Sequence, residues 1–496
     1  MSKSFLLFYL ASVVLFLMAA ASVRGQETVA TMTIDAKNPE LINVDGKFAT
    51  GSNRKNLSFL RSVAGTQGLA NRISDLRLFD SAGAEVAFKK LSDGEYLSDA
   101  NFVRWTYTID VTPLKNRSAA AHASWFVNGT GILMLADLLP EVADKSKRSG
   151  RLTFETPATH DDGHLFVHSS EKRSGNTFEV EDVEDAVFYV GYVWKRGASS
   201  NQPDRVAFLI SGEWKFAASS AADSARELYV KYEHRYGQRS SAELPFVAIA
   251  RFPTPTDPGA WEAETRGNNV TIISSDTPFQ TQSSQRLDEQ LRHEIFHLWI
   301  PNGVNLTGNY DWFYEGFALY QSLKIGIDDN RIRFDDFLDT LSRAHTIDSA
   351  PSQRISLIQA SKNRFGGSST QIYARGMLVA FLTDLAMLEQ SKGKRSVENL
   401  LKDLYMKHRK PAAPVDGNTA VIEMLKTGAN ATSIVDRYVA GVDKIEWTDE
   451  LAAAGIEDSD PGPVTTLQVK KKLSGRQKAM LDRLGYNNWR KLSATF

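Results

Sequence analysis

The chain has 496 residues, of which 42% are hydrophobic and 24% are charged, and it contains no cysteine. This length and composition are typical of a globular protein with room for about three domains. The formal net charge of -1 gives no electrostatic argument for nucleic acid as a partner, and the lack of cysteine excludes disulfides and thiolate metal ligands.

The N-terminus carries an apolar run from Phe5 to Ala21, followed by small residues up to Gly25. This pattern predicts a secretory signal peptide over residues 1–25. A retained membrane anchor is the alternative, because the run approaches the length that spans a bilayer. After cleavage we expect an exported protein without a stable membrane span. The absence of disulfides in an exported chain favours a bacterial protein that is periplasmic or secreted.

Between residues 26 and about 215 the sequence favours β-strands. β-Branched and aromatic residues cluster between Gly, Asn, Asp and Ser in the runs 102–111, 164–168 and 186–194. Such runs with turn residues between them are typical of antiparallel sheets. We therefore predict a β-rich N-terminal domain that forms a sandwich or a saddle-shaped sheet.

The second half of the chain changes pattern. Residues 222–230 predict a helix, residues 244–251 predict a buried strand, and from about residue 284 the periodicity is helical almost to the end. The predicted organisation is α+β and multidomain. Its parts are a signal peptide (1–25), a β-rich domain (26–215), a middle domain (216–345) and an α-helical C-terminal domain (346–496).

The sequence His293-Glu294-Ile295-Phe296-His297 is an H-E-x-x-H motif. Residues four apart lie on one face of a helix, so His293 and His297 can bind one zinc ion while Glu294 takes a proton from its water. Apolar residues at helical spacing surround the motif, and Ser283 or Ser284 would be the N-cap of this helix. The alternative is two buried histidines beside a solvated glutamate.

Glu315 is the candidate for the third zinc ligand. It lies among aromatic residues in Trp312–Phe317, where a solvated carboxylate would fit poorly. We expect Asp311 to be the N-cap of a helix that presents Glu315, and Gly316 to let the motif helix approach closely. His293, His297 and Glu315 would then hold one Zn²⁺ ion and leave a fourth position for water.

These segments resemble the gluzincin metallopeptidases, and specifically the glycyl-aminopeptidase family, to which the aminopeptidase N family is related. The resemblance lies in H-E-x-x-H-x-W, in W-F-x-E-G-F, and in two later blocks at 373–382 and 436–456. It covers residues 245 to 457. Members of the family often continue into a PDZ domain, and the sequence after Pro463 is too short for one.

The resemblance implies a thermolysin-like catalytic domain over 216–345 and a zinc-dependent peptidase that acts as an aminopeptidase on peptides or proteins. It implies that Glu294 is the general base and that Tyr373 donates a hydrogen bond to the oxyanion. Ser368 and Gln371 form a candidate capping box for the helix that carries Tyr373.

Glu264 is the candidate for recognising the substrate's amino group. It lies upstream of the motif in a segment that ends in a strand, but this segment departs from the family's Gly-x-x-Glu pattern. Glu262 and Glu264 as solvated loop acids are therefore the alternative. Three further functions stay open: a catalytically silent protein that binds peptides, an endopeptidase that uses the same site, and a hydrolase of other bonds.

Overall fold

The computed structural model describes most of the chain after the predicted signal peptide, which lies outside the described residues. The described ranges are 28–35, 37–48, 54–141, 148–156, 165–197, 205–241, 243–351, 353–459, 462 and 464–488. The chain forms two compact units. One comprises the residues up to Leu114 together with Ala123–Tyr192, and the other comprises Lys115–His122 together with the chain from Val193 onward. The domain boundaries at residues 215 and 345 stay predictions.

The first unit is built from β-sheets, and this confirms the β-rich character expected of the N-terminal part. The eight-stranded sheet has the spatial order Lys172–Ser174, Thr177–Val180, Gly150–Glu155, Thr28–Ile34, Leu41–Phe48, Arg104–Asp110, Ile73–Phe79, Glu85–Val86. A four-stranded sheet has the order Trp125–Val127, Thr130–Met134, Val187–Gly191, Phe166–His168. A three-stranded sheet has the order Arg54–Ser58, Glu95–Phe102, Phe88–Ser92. The strands Ser62–Val63 and Thr66–Gln67 form a two-stranded sheet.

Alternating burial explains why these segments are strands. Leu41–Phe48 buries every second residue, including Ile42 and Val44, and exposes the residues between them. This period of two places one face of the sheet against an apolar core. The predicted run 102–111 is interrupted after Phe102, which ends one strand, and the next strand begins at Arg104.

The second unit contains a five-stranded mixed sheet. Its spatial order is Lys195–Arg196, Ala207–Ile210, Phe246–Arg251, Asn269–Ser274, Trp261–Arg266. The strand Phe246–Arg251 pairs in parallel with both of its neighbours, and its apolar residues are buried. Trp261–Arg266 is an edge strand that pairs antiparallel with Asn269–Ser274. Glu264, the candidate for recognising the substrate's amino group, lies on this edge strand.

Helices make up most of the remaining chain, as predicted for the C-terminal part. In the second unit they are Ala119–His122, Ala218–Tyr236, Gln280–His297, Asp311–Asp328, Phe334–Ser349, Leu357–Ser361, Ser369–Gln390, Val397–His408, Gly417–Gly428, Thr432–Ile434, Thr448–Ala454 and Gly475–Leu484; Leu135–Leu138 belongs to the first unit. Short 3₁₀ or π segments lie at Leu69–Arg72, Arg364–Gly366 and Val435–Val439. Two-residue and three-residue strand pairs complete the second unit, namely Leu306–Thr307 with Val415–Asp416 and Ile456–Asp458 with Leu467–Val469.

Two glycines bring the helices Asp311–Asp328 and Ser369–Gln390 into backbone contact. A Cβ atom on Gly316 would lie 2.3 Å from the carbonyl carbon of Gly376, and one on Gly376 would lie 2.4 Å from the oxygen of Trp312. The expectation that Gly316 serves the approach of the motif helix is therefore wrong. Its partner is the helix that carries Tyr373, and the crossing brings Glu315 and Tyr373 to the same region.

The helix Ser369–Gln390 has 22 residues, and an 18-residue stretch of it has a mean hydropathy of 1.2, which would suffice by length and composition to cross a membrane. However, 83% of this 18-residue stretch is buried inside the protein. The helix also includes the charged residues Arg375 and Asp384. Its position is that of a core helix around which other elements pack.

Arg375 is expected to stabilise this core strongly. It is fully buried, its Nη1 lies 3.1 and 2.9 Å from the two carboxylate oxygens of Asp348, and its Nε donates to the Tyr438 carbonyl at 2.9 Å. Arg375→Met should lower the free energy of unfolding by about 3–5 kcal/mol, because the Asp348 charge would stay buried without a partner. Urea denaturation of the wild-type protein and the variant measures this difference in the free energy of unfolding.

The matched control is Arg395→Met. Arg395 pairs with Asp403 at 2.6 Å, but both side chains are exposed, so this variant should change the urea midpoint little. Equal midpoint shifts in the two variants would contradict the assigned role of Arg375. Replacing Asp348 by Leu in the Arg375→Met background should recover part of the loss, since the unpaired charge is then removed.

Candidate functional site

Three buried ligand atoms from two helices meet at one point in the second unit. His293 and His297 lie one turn apart on Gln280–His297, and Glu315 lies on Asp311–Asp328. The Nε2 atoms of the two histidines are 3.1 Å apart, and Oε2 of Glu315 lies 3.1 Å from His293 Nε2 and 3.6 Å from His297 Nε2. Two imidazole nitrogens with one carboxylate oxygen suit zinc and leave a fourth position open. The residues therefore fit one zinc ion.

The motif helix begins earlier than expected. Its first residue is Gln280, and Phe279 at the N-cap provides no side-chain cap. Ser283 lies inside the helix, where its hydroxyl group is 3.0 Å from that of Thr277. The prediction of Ser283 or Ser284 as the N-cap is therefore wrong, because Ser283 bonds to the preceding loop rather than to the helix end.

The three ligand residues influence each other's protonation. Burial would lower the pKa of His297, but the charge of Glu315 and the hydrogen bond to it raise this pKa to about 9. Burial acts against ionisation of Glu315, yet Arg364 and His297 hold the pKa of this carboxyl group well below its usual range. Only an unprotonated imidazole nitrogen binds a cation, so metal binding at His297 would release a proton.

Glu294 is buried beside the ligand group, and its Oε1 lies 4.0 Å from His293 Nε2. Its other oxygen, Oε2, accepts a hydrogen bond of 2.7 Å from the hydroxyl of Thr265. Thr265 lies on the edge strand Trp261–Arg266, and its carbonyl oxygen accepts from Asn302 at 2.8 Å. The strand thus fixes the side chain of Glu294. Thr265 was not predicted from the sequence, because no local pattern marks it.

Tyr373 lies in the first turns of Ser369–Gln390, and its ring centroid is 6.4 Å from that of His293. Burial and the charge of Glu315 raise the pKa of Tyr373 well above its ordinary value. The phenol is therefore a proton donor at neutral pH.

The predicted capping box of the helix that carries Tyr373 is wrong. Ser368 is the N-cap without a side-chain hydrogen bond, and the Gln371 amide donates to the Ile355 carbonyl instead.

Arg364 is a further residue at this site that was not predicted from the sequence. Its Nη2 lies 2.8 Å from Oε1 of Glu315 and donates to the Tyr373 hydroxyl at 2.8 Å. Its Nη1 lies 3.3 Å from Oδ1 of Asp311. Asp311 was expected to be an N-cap, but the cap position is Tyr310 and Asp311 is the first helical residue. Its carboxylate serves Arg364 rather than the helix end.

Glu264 lies on the edge strand, so the alternative of a solvated loop acid is not what the structure contains. Its Oε2 is 2.8 Å from Nδ1 of His122, and its Oε1 is 3.6 Å from Nε of Arg266. Burial opposes ionisation, but His122, Arg266 and Arg364 together lower the pKa of Glu264 to about 2. This carboxylate is therefore charged at neutral pH, and it lies next to Thr265 on the strand. Neither His122 nor Arg266 was predicted from the sequence.

Comparisons with known proteins support this architecture. No protein-family model matches the chain, and no curated protein matches it. A crystal structure of an aminopeptidase N family protein from Idiomarina loihiensis is similar, with a TM-score of 0.72 and 14% identity over 86% of this chain and 78% of that one. The M1 zinc metallopeptidase of Deinococcus radiodurans gives a TM-score of 0.53 and 16% identity over 85% and 95%.

A mutant of the Deinococcus radiodurans enzyme, crystallised with a Tyr-Ser-Ala substrate, gives the same TM-score of 0.53 at 15% identity. At such identities the likeness shows the fold. The prediction of an α+β multidomain protein with a β-rich N-terminal part and an α-helical C-terminal part is thereby confirmed.

Proposed function

We propose that the chain is an exported zinc-dependent metallopeptidase that removes residues from the amino terminus of peptides. The observation that carries this proposal is the group of His293, His297 and Glu315, whose three ligand atoms lie within 4.8 Å of one another. A carboxylate and a phenol lie beside this group. The fold shared with zinc metallopeptidases supports the same conclusion, and the apolar N-terminal run supports export.

His293, His297 and Glu315 would hold the ion, which, when bound, acts as a Lewis acid and lowers the pKa of its water. Glu294 takes the proton from this water and later passes it to the leaving amine. Thr265 keeps the carboxylate of Glu294 in one orientation through its 2.7 Å hydrogen bond. Tyr373 donates its proton in a hydrogen bond to the oxyanion that develops on the scissile carbonyl.

Glu264 supports action at the amino terminus, because its carboxylate is charged and lies on the strand that also contacts Glu294. Glu264→Gln should raise KM for aminoacyl chromogenic amides by about 10- to 100-fold, since a charge-assisted hydrogen bond to the substrate's ammonium group would be lost. Because kcat depends on other residues, it should change less. Steady-state kinetics on such amides measures both constants.

The matched control is Glu262→Gln on the same strand, where Glu262 pairs with Arg117 at 2.8 Å. This variant should retain the wild-type KM. Comparing each peptide with its amino-terminally acetylated form completes the test. Equal cleavage of the two forms, or an unchanged KM in Glu264→Gln, would favour the endopeptidase alternative.

The experiment that tests the proposal as a whole measures zinc content and cleavage of a mixed peptide library by the wild-type protein. Bound zinc together with products that begin at the amino terminus would support it. Bound zinc without any cleavage would favour the protein that only binds peptides. Amino-terminal sequencing of the protein recovered from the periplasm or the medium tests export and the removal of residues 1–25.

A further inference from the structure

The guanidinium group of Arg364 joins a candidate zinc ligand to the candidate oxyanion donor. One nitrogen, Nη2, lies 2.8 Å from Oε1 of Glu315 and 2.8 Å from the hydroxyl oxygen of Tyr373. This nitrogen carries two hydrogens, so it can donate to both oxygens at once. The other oxygen of Glu315, Oε2, is the one that faces His293 and His297. The two oxygens of Glu315 therefore have different partners.

The surrounding chain is shaped to hold Arg364 in this place. Asp311, one helical turn before Glu315, binds the second nitrogen at 3.3 Å. Arg364 opens a tight turn in which a Cβ atom on Gly366 would lie 1.9 Å from Oδ1 of Asn363, and Gly367 has a φ of +111°. A residue with a side chain would be strained at the φ of Gly367. The side chain thus enters the site from a turn of defined conformation and is held there by two carboxylates.

We propose that Arg364 is a positioning residue for both Glu315 and Tyr373, an inference that rests on the proposed function. It occupies Oε1 of Glu315, so that Oε2, the oxygen that faces His293 and His297, is the one that would hold the ion. It also donates to the hydroxyl oxygen of Tyr373 at 2.8 Å, and so holds the phenol beside Glu315. Lysine could not replace it, because an ammonium group is a compact charge without the planar fork of a guanidinium.

Arg364→Ala is expected to lower kcat by about 100-fold with little change in KM, since outer-shell partners of metal ligands typically contribute about 10- to 100-fold. Arg364→Lys should be nearly as impaired. Guanidinium chloride at non-denaturing concentration should restore kcat of Arg364→Ala by about tenfold, because the free cation can occupy the vacated place. A phosphinic peptide whose oxygens resemble the oxyanion should lose affinity in proportion to kcat/KM.

The control is Arg354→Ala. In the wild-type protein the guanidinium group of Arg354 donates to the carbonyl oxygens of Asp348 and Ser349. The control variant should retain wild-type kcat and show no response to guanidinium. A crystal structure of zinc-loaded Arg364→Lys gives a readout that does not depend on activity: Glu315 should bind zinc through both oxygens, or the Tyr373 hydroxyl should have moved. Unchanged positions of both groups would overturn the proposal.

The kinetic outcomes are equally decisive. A kcat within threefold of wild type in Arg364→Ala, or a loss confined to KM, would overturn the positioning role. If Arg364→Ala fails to fold, the kinetics and the structure of Arg364→Lys decide in its place. Wild-type protein that binds zinc but cleaves no peptide would contradict the proposed function alone, because the zinc-loaded structures would still test how Arg364 holds Glu315 and Tyr373.

Discussion

Replacing Glu294 with Gln is expected to lower kcat by about 10³–10⁴-fold while the protein still binds zinc. The amide has the shape of the carboxylate and can still accept the hydrogen bond from Thr265, but it cannot take a proton from water. Because Glu294 is not one of the three ligand residues, the metal content should stay at one ion per chain. Steady-state kinetics on a chromogenic aminoacyl amide and metal analysis of the purified protein measure the two quantities.

The matched control for this variant is Glu289→Gln on the same helix. Glu289 pairs with Arg286 at 3.0 Å on the exposed face of this helix, so its substitution should leave kcat unchanged. A Glu294→Gln protein that keeps zinc and more than about a tenth of wild-type kcat would show that another group accepts the proton. Loss of zinc in this variant would instead show that Glu294 contributes to metal binding.

The ligand group could be predicted from the sequence because its geometry is local. His293 and His297 are one helical turn apart, and any helix that includes both places them on one face. Glu315 comes from a second helix, but aromatic neighbours and a recognisable motif mark it. Tyr373 carries no local signal of its kind, and only the resemblance of its surrounding block to a known family pointed to it.

Thr265 and Arg364 could not be predicted, because tertiary packing alone creates their contacts. Thr265 meets Glu294 where the edge strand passes the motif helix, across 29 positions of sequence. Arg364 lies in the turn before the helix Ser369–Gln390, and it meets Glu315 because Gly316 and Gly376 let this helix pack closely against Asp311–Asp328. A single threonine or arginine is ordinary in any loop or strand, so neither residue type nor spacing distinguishes these two positions.

The predictions that were wrong concern helix ends and close contacts, where several partners compete. Ser283, Asp311 and Ser368 are all residue types that commonly cap helices. In the fold, Ser283 bonds to Thr277 and Asp311 pairs with Arg364. Because a tertiary partner outweighs the local preference at such positions, the sequence predicts the presence of a helix better than its first residue.

Tyr373→Phe is expected to lower kcat by about 10²–10³-fold with KM nearly unchanged, since the hydrogen bond to the oxyanion forms only as the transition state is approached. The ring would keep its place near His293, and Arg364 would still bind Glu315 and Asp311, so the fold and the zinc content should be retained. Burial and Glu315 raise the pKa of Tyr373 well above its ordinary value. The phenol therefore stays protonated at neutral pH and in mild alkali, and an alkaline limb of the wild-type pH profile in this range should persist in the variant.

The control for Tyr373→Phe is Tyr310→Phe, which removes a buried hydroxyl that has no hydrogen-bond partner within the described part of the chain. This control should retain wild-type kcat, because the hydroxyl of Tyr310 contributes no hydrogen bond that could be lost. A Tyr373→Phe protein with unchanged kcat and a raised KM would assign Tyr373 to substrate binding. Affinity for a phosphinic peptide separates the two roles, because an oxyanion donor contributes to binding of this analogue far more than to binding of the substrate.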